Sequence, residues 1–254
     1  MLLLLKPFLI VYAFGFFLLW GKDKNCIKGK KLIGQKTNAI SKAFDTTTMK
    51  AIGAKYKGTI NDVVLAMVSV ALKKYLTRRG DKAESLNLLI PFSLRVLPQT
   101  VEEHKLNNDF SLLCFTLELQ EQFGAAFKIV SRQMRQMKNS VYPHAVNALV
   151  GFIAMLPSFV GVLVTQWVVS KSTMVMSNVP GPKSSFIYSG VHSKGNWALI
   201  PGMGELACGI SCMSMKDQIY MAVQAEKTLI EDTREVRDFL NATYDELVAE
   251  LKTN

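Results

Sequence analysis

Cysteine and histidine are scarce in this sequence, and neither residue type is clustered. The chain has four cysteines and three histidines in 254 residues. No CxxC pair occurs and no histidine stands at zinc-ligand spacing from a cysteine, which argues against a metal site and against a disulfide framework. Buried apolar thiols are the better interpretation of Cys208 and Cys212, which lie four residues apart on a predicted strand.

Catalytic motifs built around histidine or glycine are also absent. His104, His144 and His192 lie far apart, and none belongs to an HExxH, HHxxxDG or G-x-S-x-G context. There is no phosphate-binding Walker loop, and the spacing of Gly202 and Gly204 is too short for G-x-G-x-x-G. We interpret the histidines as structural or surface residues, so residue chemistry alone identifies no nucleophile, base or metal site.

Charge is missing from the start of the chain and concentrated just after it. Lys6 is the only charged residue among residues 1–20, whereas residues 21–60 carry ten lysines and two aspartates. Twenty apolar residues in a helix reach about 30 Å, the thickness of a bilayer core. Lysines beside a span usually stay in the cytoplasm and attract anionic lipid. We therefore predict a single membrane anchor at 1–20, with the body of the protein on the cytoplasmic side.

Three other interpretations of residues 1–20 remain open. A signal peptide is weaker, because a charged n-region and a small-residue cleavage site are missing. A buried helix fits the shorter apolar run of about fourteen residues that follows Lys6, and a monotopic helix could lie in the membrane interface. The lysine-rich segment has few interleaved aromatic residues, so a lipid surface is favoured over nucleic acid as its partner.

Hydrophobic periodicity predicts alternating helices and strands after the basic segment. With 49% hydrophobic and 20% charged residues, disorder is excluded as the main state. Thr59 and Asp62 form a near capping box before a helix that Gly80 ends. Helices are predicted at 46–55, 60–79, 121–138, 144–170 and 231–252, and strands at 86–93, 110–119, 173–179, 185–192, 195–200, 205–214 and 217–225. This order predicts an α+β fold, a mixed sheet with flanking helices. The predicted organisation is an anchor at 1–20, a basic linker at 21–39 and one domain at 40–254.

Residues 145–169 form a second stretch without formal charge. Its length would allow a membrane span, but Asn147 and Gln166 interrupt it and Pro157 would kink it. We therefore favour a pair of helices packed in the protein or partly in the membrane surface.

Three short segments, in this order along the chain, resemble the characteristic elements of one protein family. They are TINDVVLA at 59–66, IPFSLR at 90–95 and MSNVPGP at 176–182. Residues 108–110 stand where that family has a further Gly-Asn element, here degraded. Over residues 30–252 the sequence resembles the C-terminal half of the wax ester synthase/diacylglycerol acyltransferase family.

The resemblance implies both a fold and a reaction. The family is similar to the coenzyme A-dependent acyltransferases of the chloramphenicol acetyltransferase type, which pair two sheet-and-helix halves around a tunnel. The implied reaction moves a fatty acyl group from acyl-CoA to a fatty alcohol or diacylglycerol. It implies no bound cofactor. In the family, a histidine in HHxxxDG acts as general base on the acceptor hydroxyl. That motif belongs to the N-terminal half and is absent from this chain, so no catalytic residue is assigned.

The family motifs also imply a set of residues at the substrate and CoA tunnel. Asn61 and Asp62 either cap a helix or shape the site between the halves. Arg95 either forms a structural ion pair or approaches the CoA phosphates, and the Pro-Gly-Pro is either an ordinary turn or a positioning element. The full set is Asn61, Asp62, Pro91, Arg95, Ser177, Asn178, Pro180, Gly181 and Pro182.

Three functions are consistent with the sequence. In the first, the chain is the C-terminal half of a membrane-associated O-acyltransferase whose HHxxxDG half is missing here. In the second, it is a noncatalytic, membrane-anchored subunit of a larger complex, and in the third it is an enzyme in which His144 or His192 has the catalytic role. The expected partners are membrane lipid and either the missing half or another protein subunit, but not nucleic acid.

Overall fold

Helices and strands alternate along the chain in the computed structural model, which describes residues 2–29, 31–93, 110–200, 202 and 205–253. The helices are α1 (Leu2–Leu19), α2 (Thr46–Lys55), α3 (Ile60–Arg78), α4 (Phe123–Lys138), α5 (Tyr142–Ile153), α6 (Ser158–Val169) and α7 (Arg234–Lys252). The strands are β1 (Lys36–Ile40), β2 (Phe44–Asp45), β3 (Ser85–Ser93), β4 (Phe110–Glu118), β5 (Met174–Val179), β6 (Ile187–Tyr188), β7 (Val191–His192), β8 (Cys208–Met215) and β9 (Gln218–Glu226).

Seven of the described strands form one mixed sheet. Its order is β1-β9-β8-β5-β3-β4, and β2 pairs with β9 beside β1. The strand β5 runs parallel to both β3 and β8, whereas β3–β4, β8–β9 and β1–β9 are antiparallel pairs. The strands β6 and β7 form a separate hairpin. The prediction of a mixed sheet with flanking helices is confirmed.

Helices cover both faces of this sheet. Successive residues of a strand point to opposite faces, so Leu88 packs in the larger core with α2, α3, α4 and α7, whereas Leu89 packs in a smaller core with α1 and α5. A strand covered on both faces shows a continuous apolar run without alternation. This explains why residues 86–90 read as a buried strand in the sequence.

Local sequence signals account for most element boundaries. The helix α2 has the predicted bounds, and α3 begins with the predicted capping box at Thr59. Gly80, at φ +73°, follows the end of α3. The uncharged stretch forms the predicted helical pair, α5 and α6, divided at Pro157. The strand predicted at 195–200 does not form in those residues, and the strand β1 was not predicted.

The helix α1 is packed onto the domain along one of its sides. It lies against α5, and its residues Ala13 and Phe17 are buried. The Nζ of Lys171 donates hydrogen bonds to the carbonyl oxygens of Phe17 and Trp20, where the helix end leaves carbonyls without partners and favours a cation. The Trp20 Nε1–H donates to Thr116 Oγ1 at 3.1 Å. These contacts make α1 a layer of the fold.

The prediction of a membrane-spanning anchor at residues 1–20 is not supported. Within the part of the chain that the structure describes, no helix is both long and apolar enough to cross a bilayer. One side of α1 instead packs with α5 in the smaller core. The opposite side of α1, which includes Phe8 and Val11, is exposed.

Candidate functional site

Two of the family-like motifs meet at one edge of the sheet. The Nδ2 of Asn178, at the end of β5, donates a hydrogen bond to Oδ1 of Asn61 in the first turn of α3, at 3.1 Å. Asn178 is exposed and Asn61 is half-buried, so the pair faces solvent. This contact joins positions 117 residues apart in sequence, and it defines the candidate site.

The strands β3 and β5 separate beside this pair of asparagines. Their parallel ladder consists of Leu88 with Met174 and Leu89 with Val175. Pro91 and Ser177 each lie two residues beyond the last paired position, and both are half-buried. A proline cannot donate to a ladder, so it suits the point where pairing ends. In open α/β sheets, ligands bind outside the carboxyl ends of strands that separate, so we take the end of this ladder as the candidate binding position.

Asp62 is held within the structure of the helix start. Its Oδ2 accepts hydrogen bonds from the Thr59 N–H at 2.8 Å and the Thr59 hydroxyl at 2.7 Å, and the Asp62 N–H donates back to Thr59 Oγ1. Gly58 packs between this cap and α4, because an added Cβ would lie 3.0 Å from Asp62 Oδ2 and 2.6 Å from Phe127 Cζ. For Asp62 the geometry is therefore that of a helix cap, which fixes the position of the neighbouring Asn61.

The Pro180-Gly181-Pro182 turn is bound to the end of β8. The Gly181 N–H donates to Ser214 Oγ at 3.0 Å, and the Lys216 N–H donates to the Pro182 carbonyl at 3.0 Å. A Cβ on Gly181 would lie 1.7 Å from the carbonyl oxygen of Ser214. Only glycine fits this approach, so the turn fixes the end of β5 and with it Asn178.

The site contains neutral hydrogen-bonding groups. The amides of Asn61 and Asn178 and the hydroxyl of Ser177 can orient a substrate, but they do not take up a proton near neutral pH. His144 and His192 are exposed on α5 and β7. Among the described residues, no group of three or more His, Cys, Asp or Glu side chains could hold a metal ion. The arrangement is therefore suited to binding and positioning.

The buried cysteines are also unsuited to nucleophilic chemistry. They are Cys114, Cys208 and Cys212. Burial raises the pKa of the Cys208 and Cys212 thiols to about 12 each, which keeps them protonated at neutral pH. This agrees with their interpretation as buried apolar thiols.

The structure does not describe two of the residues that the sequence analysis discussed, and it adds two features that the sequence analysis did not predict. Arg95 and His104 lie outside the described residues, so the roles predicted for them remain predictions. Sequence reasoning missed Gly58, and it missed the hydrogen bonds of Lys171 to the end of α1. A signal for Lys171 existed, because it is the first charged residue after the long uncharged stretch.

Comparison with known protein families gives a match over more than half of the chain. The model described as the WS/DGAT C-terminal domain matches residues 106–248. A probable diacylglycerol O-acyltransferase of Mycobacterium tuberculosis H37Rv is 25% identical over 206 residues, which are 77% of this chain and 43% of that protein. The O-acyltransferase WSD of Acinetobacter baylyi is 23% identical over 155 residues, 59% of this chain and 33% of that protein.

The fold is similar to that of a solved acyltransferase. The wax ester synthase/diacylglycerol acyltransferase of Marinobacter aquaeolei VT8 aligns with a TM-score of 0.66 and 19% identity, over 97% of this chain and 56% of that one. The aligned part of the chain spans less than half the length of the two relatives from Mycobacterium tuberculosis and Acinetobacter baylyi. Nothing in these comparisons supports a noncatalytic role.

Proposed function

Because the chain belongs to the WS/DGAT C-terminal domain family, we propose that it supplies the C-terminal half of an O-acyltransferase. The proposed enzyme moves a fatty acyl group from acyl-CoA to a fatty alcohol or diacylglycerol. Its partners are a half that carries the HHxxxDG motif and membrane lipid, the source of such apolar substrates. The names of the relatives support acyl transfer at the level of the family.

The hydrogen bond between Asn178 and Asn61 is the observation that carries this proposal. It brings the motif at 59–66 and the motif at 176–182 to one solvent-facing point. The ladder between β3 and β5 ends at Leu89 and Val175, before the same end of β5. In this proposal the C-terminal half contributes a neutral surface that binds the substrate. The other half contributes the base.

The proposed division of labour follows the chemistry of acyl transfer. A base on the partner half takes the proton of the acceptor hydroxyl, and the oxygen attacks the thioester carbonyl. The carbon–sulfur bond then breaks, and the departing CoA thiolate receives a proton. The Asn61 and Asn178 amides hold the acyl donor in place by hydrogen bonds, since orienting reactants lowers the barrier.

The test is kinetic and uses the protein as a complex. The tagged chain is expressed in its native source and captured in mild detergent, and the HHxxxDG polypeptide is identified by its peptides. Transfer from radiolabelled palmitoyl-CoA to hexadecanol or dioleoylglycerol is then measured. We expect Asn178→Ala to lower kcat/KM for palmitoyl-CoA about 10- to 100-fold, the effect of losing one to two positioning hydrogen bonds.

Asn139→Ala is the matched control, because Asn139 is an exposed asparagine at the end of α4. It should leave kcat/KM unchanged. Captured material that contains the HHxxxDG polypeptide but transfers no acyl group would contradict the proposed reaction. Full activity in Asn178→Ala would contradict the proposed site.

A further inference from the structure

The helices α1, α5 and α6 expose large apolar side chains on the side of the molecule away from the larger core. The most exposed include Phe8, Val11 and Leu19 on α1, and Met155, Phe159 and Leu163 at the α5–α6 hairpin. Met155 and Leu19 are 77% and 89% exposed. Soluble monomers rarely expose contiguous patches of this kind, and larger ones mark interaction surfaces.

These three helices form one continuous surface. The helix α1 lies along α5, and the ring of Phe14 on α1 meets the ring of Trp167 on α6, with centroids 6.2 Å apart. The helix α1 is apolar on all sides, yet the domain covers only the side that carries Ala13 and Phe17. A helix that is apolar all round needs apolar surroundings all round. The outer side of α1 therefore needs an apolar environment that the described part of the chain does not provide.

A groove opens within the same surface, at the α5–α6 hairpin. Its volume is about 710 Å³, within the range of small-molecule sites of about 300–1,000 Å³. Apolar side chains dominate the lining, among them Ile153, Leu156, Val162 and Val169. The volume and the apolar lining are suited to a hydrocarbon chain.

An exposed lysine lies beside the groove, and a second exposed lysine follows it in sequence. Glu205 lines the groove, and it forms an exposed ion pair with Lys22 at 3.3 Å. Lys24, two residues further along, is exposed. The helices themselves bring no charge to the surface between residues 145 and 169. An apolar face beside exposed lysines is complementary to a bilayer with anionic headgroups.

We propose that the surface formed by α1, α5 and α6 docks in the interface of an anionic lipid bilayer, with one lipid acyl chain in the α5–α6 groove. The proposal rests on the proposed function only in naming membrane lipid as the partner, and its structural evidence is separate. The groove lies near the beginning of β5, because α6 ends just before that strand. Asn178 lies at the other end of β5, so lipid docking leaves the candidate site open.

Vesicle flotation of the full chain tests the docking surface. The vesicles are phosphatidylcholine with 30% phosphatidylglycerol, a composition chosen for about a third of anionic headgroups. We expect the double variant Phe159→Asp/Leu163→Asp to lower the vesicle partition coefficient at least tenfold. The matched control is Ile187→Asp/Val191→Asp, which places the same charges at equally exposed apolar positions of the β6–β7 hairpin, and it should float like the unaltered chain.

Two further measurements test the lysine contact and the acyl-chain contact separately. Lys24→Gln should weaken binding about fivefold, the effect of about 1 kcal/mol for one lysine at an anionic surface, and 0.5 M salt should remove that difference.

The acyl-chain contact is read from Trp167 fluorescence in a Trp20→Phe/Trp197→Phe background. Lipids brominated on their acyl chains should quench Trp167 at least twice as strongly as Trp197 in the corresponding Trp20→Phe/Trp167→Phe background.

Several outcomes would overturn the docking surface. Equal flotation of the Phe159→Asp/Leu163→Asp variant would do so, and so would a chain that forms dimers through this surface and does not bind vesicles. A complex with the HHxxxDG half that no longer floats would show that the other half covers the surface. Flotation needs no acyl donor, so a complex that floats without transferring acyl groups contradicts only the proposed function. A complex that is active in detergent but never floats contradicts only the docking surface.

Discussion

At the scale of single residues, the candidate site depends on close approaches that exclude a side chain. Gly181 is the sharpest case, because its added Cβ would meet the backbone oxygen of Ser214 at 1.7 Å. A backbone atom cannot rotate away as a side chain can. We therefore expect Gly181→Ala to lower the free energy of unfolding by about 1–3 kcal/mol, the usual cost of overpacking, as measured by urea denaturation.

Gly151→Ala is the control for Gly181→Ala. Gly151 lies in α5 with nothing within 4 Å of an added Cβ. A glycine in a helix costs about 0.5–1 kcal/mol relative to alanine, so this variant should be slightly more stable than the unaltered chain. Equal stabilities for the two variants would show that the turn relaxes freely, against the tight fit inferred here.

Lys28 gives a pH-dependent prediction at the same scale. Its Nζ donates to the Ser172 carbonyl, and burial lowers the Lys28 pKa to about 8 against the opposing effect of Asp23. Between pH 8 and 10.5 the unfolded chain therefore binds more protons at Lys28 than the folded chain does. The Lys28 contribution to stability consequently rises with pH across that window.

The measurement compares the unaltered chain with Lys28→Met by urea denaturation at pH 7.5 and pH 10. The unaltered chain should gain stability relative to Lys28→Met at the higher pH. The same comparison with Lys50→Met, which alters an exposed lysine of α2, removes the effect of lost charge as such. A gain that is absent, or reversed in sign, would contradict the burial of Lys28.

At the scale of elements, a buried lysine from another part of the chain binds the carbonyl oxygens at the end of α1. Lys171 Nζ donates to the carbonyl oxygens of Phe17 and Trp20, and Lys171→Met would leave both acceptors unpaired. An unpaired buried group costs about 1–3 kcal/mol. We expect backbone amides of residues 8–20 to exchange about 10- to 100-fold faster in this variant, as measured by hydrogen–deuterium exchange.

Lys183→Met, at an exposed position after the Pro-Gly-Pro turn, is the control for that exchange experiment. It should leave exchange in residues 8–20 unchanged. If Lys171→Met behaved like Lys183→Met, the hydrogen bonds at the end of α1 would contribute nothing to holding it on the domain.

The contrast between α2 and β1 shows which elements a sequence can reveal. The helix α2 begins at a local cap, in which Asp45 accepts from the Thr48 N–H, and it was predicted with its bounds. The segment leading to β1 is held by Glu226, which accepts from the Ile33 N–H and from Lys36 Nζ about 190 residues away. No local pattern encodes that contact, so β1 was missed. For the same reason, a buried helix at residues 1–20 was one of several alternatives that the sequence left open.

At the scale of the whole molecule, different surfaces lie near the two ends of β5. The candidate site lies at its carboxyl end, and the apolar groove lies toward its beginning. The resemblance indicated that Asn61 and Asn178 belong to one site, although periodicity and spacing could not. Their hydrogen bond depends on where β5 places its last residues, which only the folded sheet determines.

Whether the chain transfers acyl groups by itself is also a property of the whole molecule. The proposed function places the base on the HHxxxDG half, so the chain alone is expected to be inactive. His144→Ala and His192→Ala should then have no effect on activity in the complex, because both side chains are exposed on α5 and β7. Loss of activity in either variant would instead identify a base within this chain.

The most direct measurement is the rate of acyl transfer from labelled palmitoyl-CoA by the purified chain, by the HHxxxDG half and by the two together. If the chain is the C-terminal half of a two-part acyltransferase, transfer appears only in the mixture and falls at least tenfold with Asn178→Ala. Equal transfer by the chain alone, or a mixture in which Asn178→Ala changes nothing, would contradict that conclusion.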